Sequence, residues 1–148
     1  MTLPVLARPA RESPDELRFT VPGEPVPSQM RTVLPGGGVA YSKQADRARQ
    51  FRDHVRLRAM MAVNSTGWRS DASEYFVVTL RVFPGDARVL DCDNAAKSVL
   101  DSIKGTLFPD DRQVVELHLY KLISRSKPRV EVTVTRLHDH QASDEREP

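Results

Sequence analysis

Leu90-Asp91-Cys92-Asp93-Asn94, then Lys97 and Asp101, then Phe108-Pro109-Asp110-Asp111-Arg112-Gln113-Val114: along this stretch a helix opens, runs and closes between two strands, and that succession decides the fold. Asp93 or Asn94 is the expected cap of a helix reaching about Lys104. Ala96, Val99, Leu100 and Ile103 form its apolar stripe at i, i+3, i+4 and i+7, and Gly105 is its stop. Asp93, Lys97 and Asp101 share the opposite face. Upstream, Tyr75 to Phe83 alternates as a strand with Phe76, Val78, Leu80 and Val82 on one side, and Pro84-Gly85-Asp86 ends it. Downstream, Val114 to Leu122 is a strand, Ser124 to Pro128 turns, and Arg129 to Arg136 is the last strand. The final two are expected to pair as an antiparallel hairpin.

Working outward, Leu17 to Val21 alternates as a first strand, stopped by the three prolines between Pro22 and Pro27. From Arg31 to Tyr41, two short apolar pieces flank Pro35-Gly36-Gly37-Gly38, which predicts a small hairpin able to touch a ligand. Ser42 is the expected cap of a long helix ending near Val63. On that helix Ala48, Phe51, Val55, Ala59 and Ala62 line up as one apolar stripe, and Arg49, Arg52 and Arg56 cluster on an adjoining face. Such a face is either solvated surface or a phosphate-facing one. Trp68, in the loop that follows, reads as a packing cap on the core. The sum is an α+β fold, a mixed sheet with two helices packed against it. Its domain spans residues 17–136, between a flexible arm over 1–16 and a disordered acidic tail over 137–148.

The composition narrows the function classes. A chain of 148 residues can bury a core without staples, and the single Cys92 excludes an internal disulfide or a cysteine-rich zinc module. No run approaches the roughly 18 apolar residues of a membrane span, and no secretory signal opens the chain, so a cytoplasmic address is expected. The net charge is +2, but residues 1–16 carry −1 and residues 137–148 carry −3, which leaves +6 on the body. That excess, present despite an aspartate cluster, is either ordinary solubilising charge or the footprint of a polyanion binder.

In extended chain, residues i and i+2 point the same way, so Asp91 and Asp93 can aim both carboxylates at one spot. Clustered carboxylates repel unless a cation neutralises them, and a hard cation such as Mg²⁺ suits oxygen ligands while keeping waters free for a phosphate. Each piece alone has a plain alternative. An isolated Asp-x-Asp is common, Asp93, Lys97 and Asp101 could be two i,i+4 ion pairs, and Asp110-Asp111 could be a simple turn. An EF-hand is excluded by Ala95 and Ala96, where an oxygen ligand and a glycine belong.

The joint arrangement resembles the RusA family of Holliday junction resolvases of bacteria, prophages and phages. The residues that carry the resemblance are Leu90-Asp91-Cys92-Asp93-Asn94, Lys97, Leu100-Asp101, Gly105 and Asp110-Asp111-Arg112-Gln113-Val114-Val115. The similarity implies that Asp91, Asp93 and Asp111 are catalytic metal ligands and Lys97 the catalytic lysine, with Asn94, Asp110 and Asp101 in support. It further implies Mg²⁺ as cofactor, a homodimer acting on branched DNA, paired symmetric nicks at a four-way junction, and a bacterial or phage-infected host cytoplasm. Where the family's best-known member has a run of arginines before the first aspartate, only Arg88 stands here, and Leu100 replaces an aromatic. Arg49, Arg52, Arg56 and Arg88 are the expected phosphate contacts. The rival expectations are a magnesium nuclease cutting flaps, forks or packaging intermediates, and a non-catalytic basic DNA-binding module.

Overall fold

A computed structural model describes residues 12–27, 32–33, 35–40, 43–86 and 91–138. The Ser42 cap, Leu90, Arg88, the first eleven residues of the expected arm and residues 139–148 of the expected tail lie outside the described residues.

Nine segments follow in order: β1 (Glu16–Pro22), β2 (Thr32–Val33), β3 (Val39–Ala40), α1 (Lys43–Thr66), β4 (Tyr75–Phe83), α2 (Cys92–Ile103), a 3-10 turn (Asp111–Gln113), β5 (Val114–Lys121) and β6 (Arg129–Leu137). The main sheet has the order β1-β6-β4-β5, with β6 antiparallel to both β1 and β4, and β5 parallel to β4. The arrangement is the expected α+β one. β2 and β3 form a separate small hairpin, whose turn holds Gly36 and Gly37 at φ of 103° and 91°, a region open to glycine and costly for other residues.

Alternation builds the sheet's inner face. Leu17 and Val21, Phe76, Val78, Leu80 and Val82, and Val130, Val132 and Val134 are all buried. Against them lie Phe51, Val55 and Ala59 of α1 and Ala95, Val99 and Ile103 of α2. Leu107, Phe108 and Trp68 close the end where α2 finishes. Phe76 stacks on Phe108 at 5.4 Å between ring centres, and Trp68 Nε1 donates to the Leu107 carbonyl at 2.7 Å. Trp68 is thus a core cap, as its loop position suggests.

Three expectations need correction. β5 and β6 are not a hairpin: β4 lies between them. β6 offers three buried valines and takes an inner place, whereas β5 exposes Glu116, Leu117, His118 and Tyr120 and takes an edge. The link between them crosses the end of β4, held there by Leu122 N–H on the Val82 carbonyl (2.8 Å) and Ser124 N–H on the Pro84 carbonyl (3.1 Å). Second, the cap of α2 is Asp91, not Asp93 or Asn94; starting there places Asp93 in the first turn, at the positive end of the helix dipole. Third, the arm expected over 1–16 is tied down at its end. Arg136 donates to Ser13 Oγ (2.9 Å), Arg136 N–H bonds the Asp15 carbonyl (2.7 Å), and Glu16 already belongs to β1.

Candidate active site

The parallel pairing of β4 and β5 requires a crossover, and α2 supplies it. It starts beyond the C-terminal end of β4 and ends where β5 begins, so the two halves of the aspartate cluster stand at its two ends.

At the first end, Asp91 has extended backbone (φ −83°, ψ 119°) and its side chain accepts from Asp93 N–H at 3.2 Å; its carbonyl accepts from Ala95 N–H at 3.1 Å. Asp91, Asp93 and Asn94 are exposed, and Cys92 is half-buried. Further along the same side, Lys97 and Asp101 are also exposed, while Ala95, Ala96, Ser98, Val99, Ser102 and Ile103 face inward and Leu100 is half-buried. Among the described residues Lys97 pairs with neither Asp93 nor Asp101, so the simple reading of two i,i+4 ion pairs is absent.

At the other end, Gly105 (φ 81°) turns the chain out of the helix. Asp110 then caps the 3-10 turn in a capping box: its carboxylate accepts from Arg112 N–H at 3.0 Å, and the Gln113 side chain accepts from Asp110 N–H at 3.0 Å. Arg112 N–H first, then a hydrogen bond with the Asp111 carboxyl, and also the charges of Lys104 and Arg112, hold the Asp110 carboxyl below its usual range. The Asp111 carboxylate is 4.0 Å from Lys104 Nζ.

The structure therefore brings Asp91 and Asp93 together, and Asp110 and Asp111 together, but not one pair to the other. Twelve helical residues span about 18 Å. Among the described residues, no three acidic, histidine or cysteine side chains gather as a metal-holding group. Asp91 with Asp93 still suits a hard cation that takes one or two carboxylates plus substrate phosphate oxygens.

The arginines of α1 stand on one flank of the helix. Arg49 bonds Asp46 at 3.2 Å and Arg56 bonds Asp53 at 3.3 Å, both exposed, while Arg52 between them is partly buried. Such exposed i,i+3 pairs are worth a few tenths of a kcal/mol and yield easily to a phosphate.

Two residues of consequence had no role in the sequence reading, Gln113 quoted only as part of the motif and Arg136 only as the end of a strand. Gln113 is 6% exposed and Arg136 9%, and both make several polar contacts. The Asp110-x-x-Gln113 spacing is a capping-box signature and could have flagged the first; nothing local marks the second.

No helix among the described residues is long and apolar enough to cross a membrane. No curated protein matches the chain. The sequence model of the family described as endodeoxyribonuclease RusA, however, matches residues 22–135, a span that holds both ends of α2, all of β4 and β5 and most of β6, and the chain belongs to the RusA family of endodeoxyribonucleases.

Proposed function

We propose that this chain is a Mg²⁺-dependent, structure-specific endonuclease that resolves four-way DNA junctions by paired symmetric nicks, acting as a homodimer. The observation that carries the reading is the order of the motif within the family match: an Asp-x-Asp at the start of one exposed helix face, a lysine along it, and an Asp-Asp turn at its end.

Asp91, Asp93 and Asp111 are the proposed ligands, with Asp110, Asn94 and Asp101 in support. The chemistry a bound Mg²⁺ supplies is a water of lowered pKa and neutralisation of charge on the departing 3′ oxygen. Lys97, one turn beyond Asp93 and free of the neighbouring aspartates, stabilises the pentacovalent phosphorane or gives the leaving oxygen a proton. Arg49, Arg52 and Arg56, with Arg88 outside the described residues, hold the phosphate backbone.

The separation of the two carboxylate pairs supports the homodimer reading. A two-fold copy whose α2 runs the opposite way sets the Asp111 of one protomer toward the Asp91 and Asp93 of the other, and does so twice. Two identical centres then face two opposed strands of a junction that is itself nearly two-fold. β5 supports this pairing: it is an edge among the described strands and leaves Leu117 and Tyr120 about half exposed, as are Leu122 and Ile123 in the link just after it. Antiparallel β5 to β5 pairing would bring opposite ends of the two α2 helices together.

The test is incubation of wild type and Asp91→Asn with an end-labelled four-way junction and a linear duplex, with Mg²⁺ or chelator. Symmetric, ligatable nicks on the junction alone, with Mg²⁺ alone, and binding without cutting by Asp91→Asn, bear the reading out. Equal cutting of both substrates sinks junction specificity, and full activity of Asp91→Asn sinks the metal site. The second reading, a nuclease for flaps or forks, is favoured by the lone Arg88 before Val89-Leu90-Asp91, which leaves fewer cations next to the aspartates to distort a junction; a panel of branched DNAs separates the two.

A further inference from the structure

Asp111 makes few contacts of its own. Its carboxylate is close to half exposed and touches Lys104 at 4.0 Å and the Asp110 carboxyl. Its position is therefore set by the backbone of the 3-10 turn, which Asp110 caps from within and the Gln113 side chain ties by hydrogen bonds to the loop before β4.

The Gln113 carboxamide is buried and uses all its directional groups. Its oxygen accepts from Asp110 N–H at 3.0 Å, and its nitrogen donates to the Asp71 carbonyl at 2.7 Å and the Glu74 carbonyl at 2.8 Å. Only a carboxamide of this length meets that set. A glutamate keeps the acceptor but loses both donors, a lysine or arginine has no acceptor, and an asparagine is one methylene short. The anchor is itself stiff: Arg136 donates to the Glu74 carboxylate and to the Arg69 carbonyl (2.6 Å), with its guanidinium 4.6 Å above the Trp68 ring. Asp71 in turn accepts from Ser73 N–H at 2.8 Å.

We propose that Gln113 is the positioning residue for Asp111: it clamps the turn that carries this carboxylate to the loop before β4, and so sets where the ligand stands. The inference rests on the reading of Asp111 as a metal ligand. Outer partners of metal ligands act in this way, by fixing a geometry the ligand alone does not hold.

The experiment compares full-length wild type, Gln113→Met and Asp111→Asn, using Mn²⁺ titration by calorimetry without DNA, kcat and KM for a four-way junction, and thermal melting. Gln113→Met is expected to weaken Mn²⁺ binding and lower kcat by about 10–100-fold, with KM within about two-fold of wild type. If Gln113→Met yields no folded protein, Gln113→Asn is read for the same quantities. A variant that melts earlier but binds Mn²⁺ and turns over as wild type, or one whose loss is confined to KM, overturns the proposal. Asp111→Asn separates the two failures. If it binds Mn²⁺ normally, the ligand reading falls; if it loses Mn²⁺ while the Gln113 variant keeps it, only the positioning role falls.

Discussion

The two ends of α2 carry similar aspartates but are built by different means. At the N-terminal end, the hydrogen bonds that orient the site stay within Asp91 to Ala95: Asp91 caps its own helix through Asp93 N–H and Ala95 N–H. At the far end, the turn bearing Asp111 is fixed by Gln113, whose partners lie 42 and 39 positions earlier in the chain. It is also fixed by the Leu107 and Phe108 packing on Trp68 and Phe76. One half of the proposed site therefore assembles by local rules and the other only when the sheet has formed. A disturbance of the core near Trp68 should reach Asp111 before it reaches Asp91.

The largest expected effect concerns whether the ends meet within a chain or between chains. Asp91→Asn and Asp111→Asn should each lose about 10³-fold in cleavage rate. If the sites are completed between protomers, mixing the two inactive proteins and letting subunits exchange regenerates one intact centre per mixed dimer. Single nicking then returns to about a quarter of the wild-type rate, since half the dimers are mixed and each has one of two sites. No recovery on mixing, with exchange verified, rejects the two-chain site.

Next in size is Leu117→Lys on β5, which places a charge on the edge proposed to pair. Sedimentation should show a shift from dimer to monomer at micromolar concentration, with cleavage lost and melting temperature changed little. A dimer that persists moves the interface elsewhere.

Smaller is the contrast between the caps. Asp91→Asn should leave stability unchanged, because asparagine caps a helix as well as aspartate does, whereas Asp110→Ala should lower the midpoint of denaturant unfolding. The sign with pH follows from the lowered pKa of Asp110. Its contribution is fully present above the ordinary carboxylate value of 3.8 and is lost as pH falls through the lower folded value. Protection of Arg112 N–H from exchange should therefore persist down to that value and fail only below it.

The smallest expected effect is that of Arg52→Ala: junction affinity falls uniformly across sequences and the salt slope decreases by about one. An unchanged slope removes α1 from the phosphate path.

The sequence by itself determined a good deal of this protein. β4 runs from Tyr75 to Phe83 with its four inward residues as expected, and the stripe from Ala48 to Ala62 on α1 is buried throughout, because side-chain period follows from backbone geometry and needs no partner to be read. The family was legible for a similar reason: residue type and spacing are written in the chain. Tertiary structure alone decided three things. It put β6 rather than β5 beside β1, because sheet order depends on which strand has most to bury. It made Asp91 the cap of α2 where Asp93 or Asn94 was expected, because a cap is set by where the incoming chain turns. It tied Gln113 to Asp71 and Glu74, because a carboxamide is committed to particular carbonyls only when the fold brings them within reach, which no pattern along the chain encodes.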